Sequence, residues 1–178
     1  FNESGVDVIC VADPTSSPEL LDPNDFSEFA QPALEDLSAE MEMESILHIC
    51  GNSRPILEDM LDCGFNGISV EEAVNMEEAQ ELRADIDADT VMVGNISTSQ
   101  TLFSKTPADV KAEVTQALER GTNVLAPSCG IAPKSPLANL KAFVEARDEF
   151  YQYEGATAEW TINLIFERTY HRQATKQE

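Results

Sequence analysis

His48 and Cys50 stand two residues apart at the end of the apolar run "SILHICG", and Cys129 follows a second apolar run in "NVLAPSCG". The chain holds only two histidines and four cysteines, so an imidazole and a thiol in alternation raise the question of a metal. Alternate side chains of a strand share a face, and His48 and Cys50 therefore point the same way. Glu71 and Glu72 end a third run, "NGISVEE". An imidazole, two thiols and a carboxylate delivered by three strands form a soft, mixed donor set that selects zinc over magnesium or calcium. Three protein ligands with the fourth position open or exchangeable is the arrangement of a catalytic zinc. A thiol that joins such a metal is deprotonated outright, so the chemistry this set would serve is the supply of a thiolate nucleophile at neutral pH.

A plainer reading competes at each position. Cysteine is among the most buried residue types, and a His-x-Cys pair alone can be core packing; Cys129 at an equivalent strand end tips the balance toward a metal. Cys10, inside "VDVICVAD", and Cys63, before Gly64 at a helix end, are expected to be small core residues. His171 has no partner nearby in sequence and is expected to be solvated. Asp13 in "VADPT" is a candidate substrate-binding carboxylate or a turn cap. Asn95 in "VGNIST" is a candidate donor to a ligand or a turn-stabilising asparagine. Arg54, after Asn52, could meet an anionic substrate or simply lie on the surface.

These side chains can meet only if the strands that carry them end on one rim. Five apolar runs, "VDVICVAD", "SILHICG", "NGISVEE", "TVMVGNIS" and "NVLAPSCG", alternate with helical patterns. Pro23 in "DPNDF" marks the first turn of a helix running from about Asp22 to about Glu42. "PILEDMLDCG" is a short helix closed by Gly64, and a third helix is predicted from Met76 to Ile86. "TPADVKAEVTQALERG" is a well-marked helix with Thr106 as N-cap, Pro107 in its first position and Gly121 as its stop. A final helix runs from Pro136 to about Gln152. Strands alternating with helices imply βα units and a parallel sheet, with near-continuous apolar strands buried on both faces. The fold class is α/β. Five units fit either an open doubly wound sheet or the later part of a (β/α)8 barrel, and no Gly-rich dinucleotide or phosphate loop follows any strand. In both architectures the C-terminal strand ends carry the active site. Residues 1–152 are expected to form this unit. Residues 153–178 hold the only Trp and shift toward basic with Arg168, Arg172 and Lys176, and are expected to be an atypical, partly disordered tail.

Charge narrows the partners. Against 33 acidic side chains there are 11 basic ones, a formal net charge of −22. Binding to nucleic acid or anionic membrane rests on Lys and Arg meeting phosphate, so neither partner is expected. No apolar run approaches the roughly 20 residues of a membrane helix. The acids are spread along the chain, and their self-repulsion falls as salt shortens the screening length from about 10 Å at 0.1 M to about 3 Å at 1 M, which suits a salt-adapted host. The opening Phe1-Asn2 shows no leader and the chain reads as a fragment of a longer protein; reduced thiols in a cytoplasmic setting are expected.

The stretches "ADPTSSPELL", "LHICGNSRPILEDMLDCGFNGISVEE", "VGNISTSQTLF" and "VLAPSCGIAPKSPLANLKAFVEA" together resemble methylcobamide:coenzyme M methyltransferases of the uroporphyrinogen decarboxylase superfamily. The resemblance spans about residues 5–150, and its most specific element is the His-x-Cys pair with a distant Cys in "CGIAP". It implies the last five units of a (β/α)8 TIM barrel of the uroporphyrinogen decarboxylase type, incomplete in this chain. It implies zinc held by His48, Cys50 and Cys129, with Glu71 completing the shell and Glu72 as the weaker alternative. The implied reaction moves a methyl group from a methylated corrinoid protein to the thiol of coenzyme M, in methane formation from methylated compounds. Two alternatives stay open: a metal-free decarboxylase acting on uroporphyrinogen, and an inactive zinc-binding fragment.

Overall fold

The computed structural model describes residues 2–3, 5–86 and 88–153; the expectations for Trp160, His171 and the rest of the tail lie outside the described residues. Five strands form one sheet: β1 (Val8–Ala12), β2 (Glu44–His48), β3 (Gly67–Ser69), β4 (Val91–Ile96) and β5 (Val124–Pro127). Between them run α1 (Pro23–Asp25), continued through a π-helical turn at Phe26–Ala30 into α2 (Gln31–Ala39), then α3 (Leu57–Asp62), α4 (Met76–Asp85) and α5 (Pro107–Glu119), with α6 (Leu137–Tyr153) last.

All neighbours are parallel, and the spatial order is β1-β2-β3-β4-β5. A doubly wound sheet has a switch point where strand order reverses; none occurs here, so every crossover steps the same way round. Chain-order parallel pairing is a sector of a barrel, which decides between the two architectures that the strand pattern left open.

Capping residues set the helix starts. Thr106 and Asp109 form a reciprocal capping box with Pro107 at the first position of α5, an arrangement that contributes on the order of 1 kcal/mol. Asn75 caps α4 by accepting from the Glu77 N–H. After β4, "STSQTLF" folds as a π-helical turn, Thr98–Phe103, capped by Ser97; its apolar residues lack a helical period, so sequence pattern gave no signal for it.

Register divides the sheet into two unlike faces. Val11, Leu47, Ile68 and Met92 lie opposite one another across β1 to β4, and Leu47, Ile68 and Met92 are fully buried. Phe26, Leu57, Met60 and Ala79 from the helical segments complete that core. A second core joins Ile96 to Val110 and Val114 of α5 and Ala142 and Ala146 of α6. The opposite face carries Val8, Cys10, Ile46 and His48, which are half-buried or exposed.

Here one expectation is corrected. "VDVICVAD" does not form a strand buried on both faces, and Cys10 is exposed rather than a core residue. Among the described residues β1 pairs on one side only, and Cys10 points to the face that none of their helices covers. Cys63 does lie in the core; its Sγ donates to the Asp59 carbonyl at 3.2 Å, and burial, with nearby acidic groups, pushes its thiol up to about 12.

Gly94 in β4 has φ +135°, and a Cβ there would sit 2.6 Å from the Val70 carbonyl oxygen of the neighbouring strand segment. Backbone cannot yield as a flexible side chain does, and strained φ adds its own cost. Gly94→Ala is expected to lower stability by about 2–4 kcal/mol, read as a fall in the denaturant midpoint at unchanged slope.

Candidate metal centre

β2 ends at His48, and its register sets His48 directly opposite Ser69 of β3. His48 Nδ1 lies 3.1 Å from Ser69 Oγ, while Nε2 lies 3.4 Å from the Cys50 sulfur. The imidazole is thereby turned: one nitrogen is occupied by a buried hydroxyl, and the other faces the thiol two residues on. Gly51 then turns the chain at φ +81°, where a Cβ would meet Glu19 Oε1 at 2.9 Å and Ser17 Oγ at 3.1 Å. The positive φ favours glycine at this position of "LHICG".

From β5, Cys129 brings its sulfur to 4.0 Å from that of Cys50. Both cysteines are free thiols, since a disulfide would need about 2.05 Å. Glu71, just after β3, completes the cluster: one donor atom each from His48, Cys50, Glu71 and Cys129 all lie within 4.8 Å of one another. Tetrahedral zinc with Zn–S near 2.3 Å and Zn–N near 2.0–2.1 Å requires S···S of about 3.8 Å and N···S of about 3.6 Å. The separations of 4.0 and 3.4 Å fit that demand within a few tenths of an ångström.

Electrostatics points the same way. Burial, reinforced by Cys129 and Glu71, pushes the Cys50 thiol up to about 11. Crowded anionic donors disfavour one another's charged forms, and a cation among them removes that conflict.

The adjacent glutamates separate completely. Glu72 turns away from the cluster: its Oε1 accepts from Ser97 Oγ at 2.7 Å. Burial raises its pKa, but hydrogen bonds from Ser128 and Ser97 outweigh that and hold the carboxyl below its usual range. Only Glu71 of the two offers a carboxylate to the donor set.

Neither proposed substrate-binding residue joins the four. Asp13 accepts from the Thr15 N–H at 3.2 Å and Thr15 Oγ1 at 2.6 Å, and also from Ser16 Oγ, which is the turn-cap alternative; its backbone N–H donates to the His48 carbonyl. Asn95 donates its amide to the carbonyls of Glu71 at 3.2 Å and Val74 at 2.8 Å, so it braces the loop that carries Glu71. Arg54 is on the surface, 3.6 Å from Glu78 with both side chains about half exposed, a pairing that contributes little. Ser69, Ser97 and Ser128 escaped sequence reasoning altogether; serines carry no spacing signal. A cavity of about 330 Å³ bordered by Glu72, Asn75, Asn95, Glu113 and Arg120 includes none of the four donors.

A profile of the uroporphyrinogen decarboxylase (URO-D) family matches residues 1–150. The chain belongs to this family. Over 149 residues it is 49% identical to the methylcobamide:CoM methyltransferase MtaA of Methanosarcina barkeri, covering 84% of this chain and 43% of that protein. Over 151 residues it is 34% identical to the methylcobamide:CoM methyltransferase MtbA of Methanosarcina acetivorans, covering 83% and 43%. A solved methyltransferase from Methanosarcina mazei superposes with a TM-score of 0.79 at 47% identity, over 84% of this chain and 44% of that one. The chain thus spans less than half the length of the relatives it matches.

Metal-ligating histidines are held by a hydrogen bond at the second ring nitrogen, and loss of such a partner typically costs ten- to a hundredfold in affinity. For a zinc ion held by these four donors, Ser69→Ala is expected to weaken binding by about tenfold, measured by competition with a chromophoric chelator.

Proposed function

We propose that this family member carries the zinc site of a methyltransferase that moves a methyl group from a methylated corrinoid protein to the thiol of coenzyme M, in methanogenesis from methylated compounds. The observation that carries the reading is the convergence of His48, Cys50, Glu71 and Cys129 within 4.8 Å on the strand-end rim of a barrel sector. The names of the relatives supply the reaction class; the donor chemistry supplies the cofactor.

The four side chains fit zinc in kind, number and spacing. When bound, zinc makes a thiol that joins it a thiolate near neutral pH. His48 Nε2 and the sulfurs of Cys50 and Cys129 are the three fixed donors, and the hydrogen bond to Ser69 keeps the imidazole turned. Glu71 would be the exchangeable fourth donor, because its oxygen is a harder donor than sulfur, and its carboxylate is placed to take the proton of an incoming thiol. In the transfer the thiolate sulfur would bond to the methyl carbon as that carbon's bond to the corrinoid cobalt breaks, the electron pair staying with the corrinoid.

The net charge of −22 disfavours both nucleic acid and a polycarboxylate such as uroporphyrinogen, and no described helix is long and apolar enough to cross a membrane. The four free thiols suit the cytoplasm we propose for it. A second reading, a zinc binder without turnover, is favoured by the half-exposed inner face of the sheet, where Val8 is 50% exposed.

Purified in high-salt buffer, the chain is expected to hold about one zinc by elemental analysis, with Cys129→Ser losing most of it. A folded protein without zinc sinks the thiol-activation mechanism. Methylation of coenzyme M from methylcobalamin separates an active enzyme from a zinc binder, and Glu71→Gln is expected to lower that rate at least tenfold, in the range of a positioned general base.

A further inference from the structure

We propose that Glu72 is a positioning residue for the metal centre: its carboxylate ties the rim segment after β3 to Ser97 after β4, whose neighbours Ile96 and Thr98 hold Ser128, and so sets the Cys129 sulfur against Cys50 and Glu71. This rests on the zinc reading above for its functional meaning, but its geometry is independent of any metal.

The argument is an accounting of protons. A serine hydroxyl has one proton to give and lone pairs to receive. Ser97 Oγ accepts from the Gln100 N–H at 3.1 Å and gives its proton to Glu72 Oε1 at 2.7 Å. Ser128 Oγ accepts from the Thr98 N–H at 3.4 Å, so the residue after Ser97 holds Ser128. Ser97 is 3% exposed, so its hydroxyl cannot turn to bulk water if Glu72 is removed. It would be left with a buried donor and no acceptor, a state that folded proteins avoid.

Position along the chain converts this knot into control of the site. Glu72 follows Glu71, and Ser128 precedes Cys129. Ser128 also donates its backbone N–H to the Ile96 carbonyl at 2.8 Å. It is the last buried residue of this segment, because Cys129, Gly130 and Ile131 are all exposed. β5 ends at Pro127, so Ser128 anchors the point from which the Cys129 side chain departs. Loosening it lets Cys129 move away from Cys50, while His48 and Cys50, held by β2 and Gly51, stay where they are.

The test compares Glu72→Ala and Glu72→Gln with the unsubstituted chain, all carrying Cys10→Ser so that Cys50 and Cys129 are the reactive thiols. The first readout is zinc affinity by chelator competition, with cobalt substituted to report thiolate coordination by its absorption. The second uses metal-free protein and follows the equilibrium between the dithiol and the Cys50–Cys129 disulfide in glutathione buffers. There two protein thiols are oxidised as one glutathione disulfide is reduced to two glutathione thiols, and peptide mapping locates the bond. Glu72→Ala is expected to weaken zinc binding about ten- to a hundredfold, change the cobalt–thiolate band, and lower the effective concentration of the two thiols by about tenfold. Glu72→Gln, which keeps one acceptor oxygen, should fall between. Unchanged affinity and an unchanged disulfide equilibrium in both variants would overturn the proposal, even if thermal stability fell, because the role would then be structural only. If the unsubstituted chain binds no zinc yet Glu72→Ala lowers the disulfide equilibrium, the positioning role stands and the methyltransferase reading fails.

Discussion

Parallel pairing of β2 with β3, in the register that sets His48 opposite Ser69, governs everything at the rim. Side-chain direction alternates along a strand with a period of two, so a slip of one residue would move a whole set of side chains to the other face. His48 would then point into the helix-covered core in place of Leu47, and its hydrogen bond to Ser69 would be lost. The buried face prevents this slip, since Leu47, Ile49, Ile68 and Met92 are all fully buried. Each removes apolar area worth roughly 1.5–3 kcal/mol from water, so several such side chains together outweigh any gain that a slipped register could offer. The packing of one face therefore determines the chemistry available on the other.

That chemistry is unfavourable to itself without a cation. Two thiols and a carboxylate sit together on a chain of net charge −22, and burial first, then Cys129 and Glu71, drives the Cys50 thiol up. Most of the acidic charge is solvated and screened over about a Debye length, whereas donors within 4.8 Å of one another are not. A soft divalent ion turns the mutual repulsion into four attractions. Hydrogen bonds between Ser69 and His48, from Asn95 to the Glu71 backbone carbonyl, and from Ser97 to Glu72 surround the donors.

The two faces of the sheet also explain why membership in the family is clearer than activity. The helix-covered face is packed like the interior of a complete domain, while Val8, Cys10 and Ala12 on the inner face of β1 remain exposed. The chain covers 43% of the methyltransferase that it matches at 49% identity. All four candidate donors fall within that share, because they come from the ends of β2, β3 and β5 of one sector.

Period-two alternation and the alternation of strands with helices were enough, in the sequence, to place His48, Cys50 and Cys129 on one rim, and the caps Thr106, Pro107 and Asn75 make the helix starts local properties. Strand order is not local. The same βα pattern serves open sheets and barrels, and only chain-order pairing of β1 to β5 shows which is present. Nor is edge position local, which is why Cys10 reads as core yet lies exposed. Glu71 and Glu72 are chemically identical neighbours in a loop, where no period assigns direction; their different directions go with the contact of Glu72 to Ser97, which tertiary folding brings from 25 residues away. Residue type and spacing determined what chemistry was possible. Which atoms face one another across the rim was decided by packing, because loop side chains are directed by their three-dimensional neighbours and not by their neighbours in the chain.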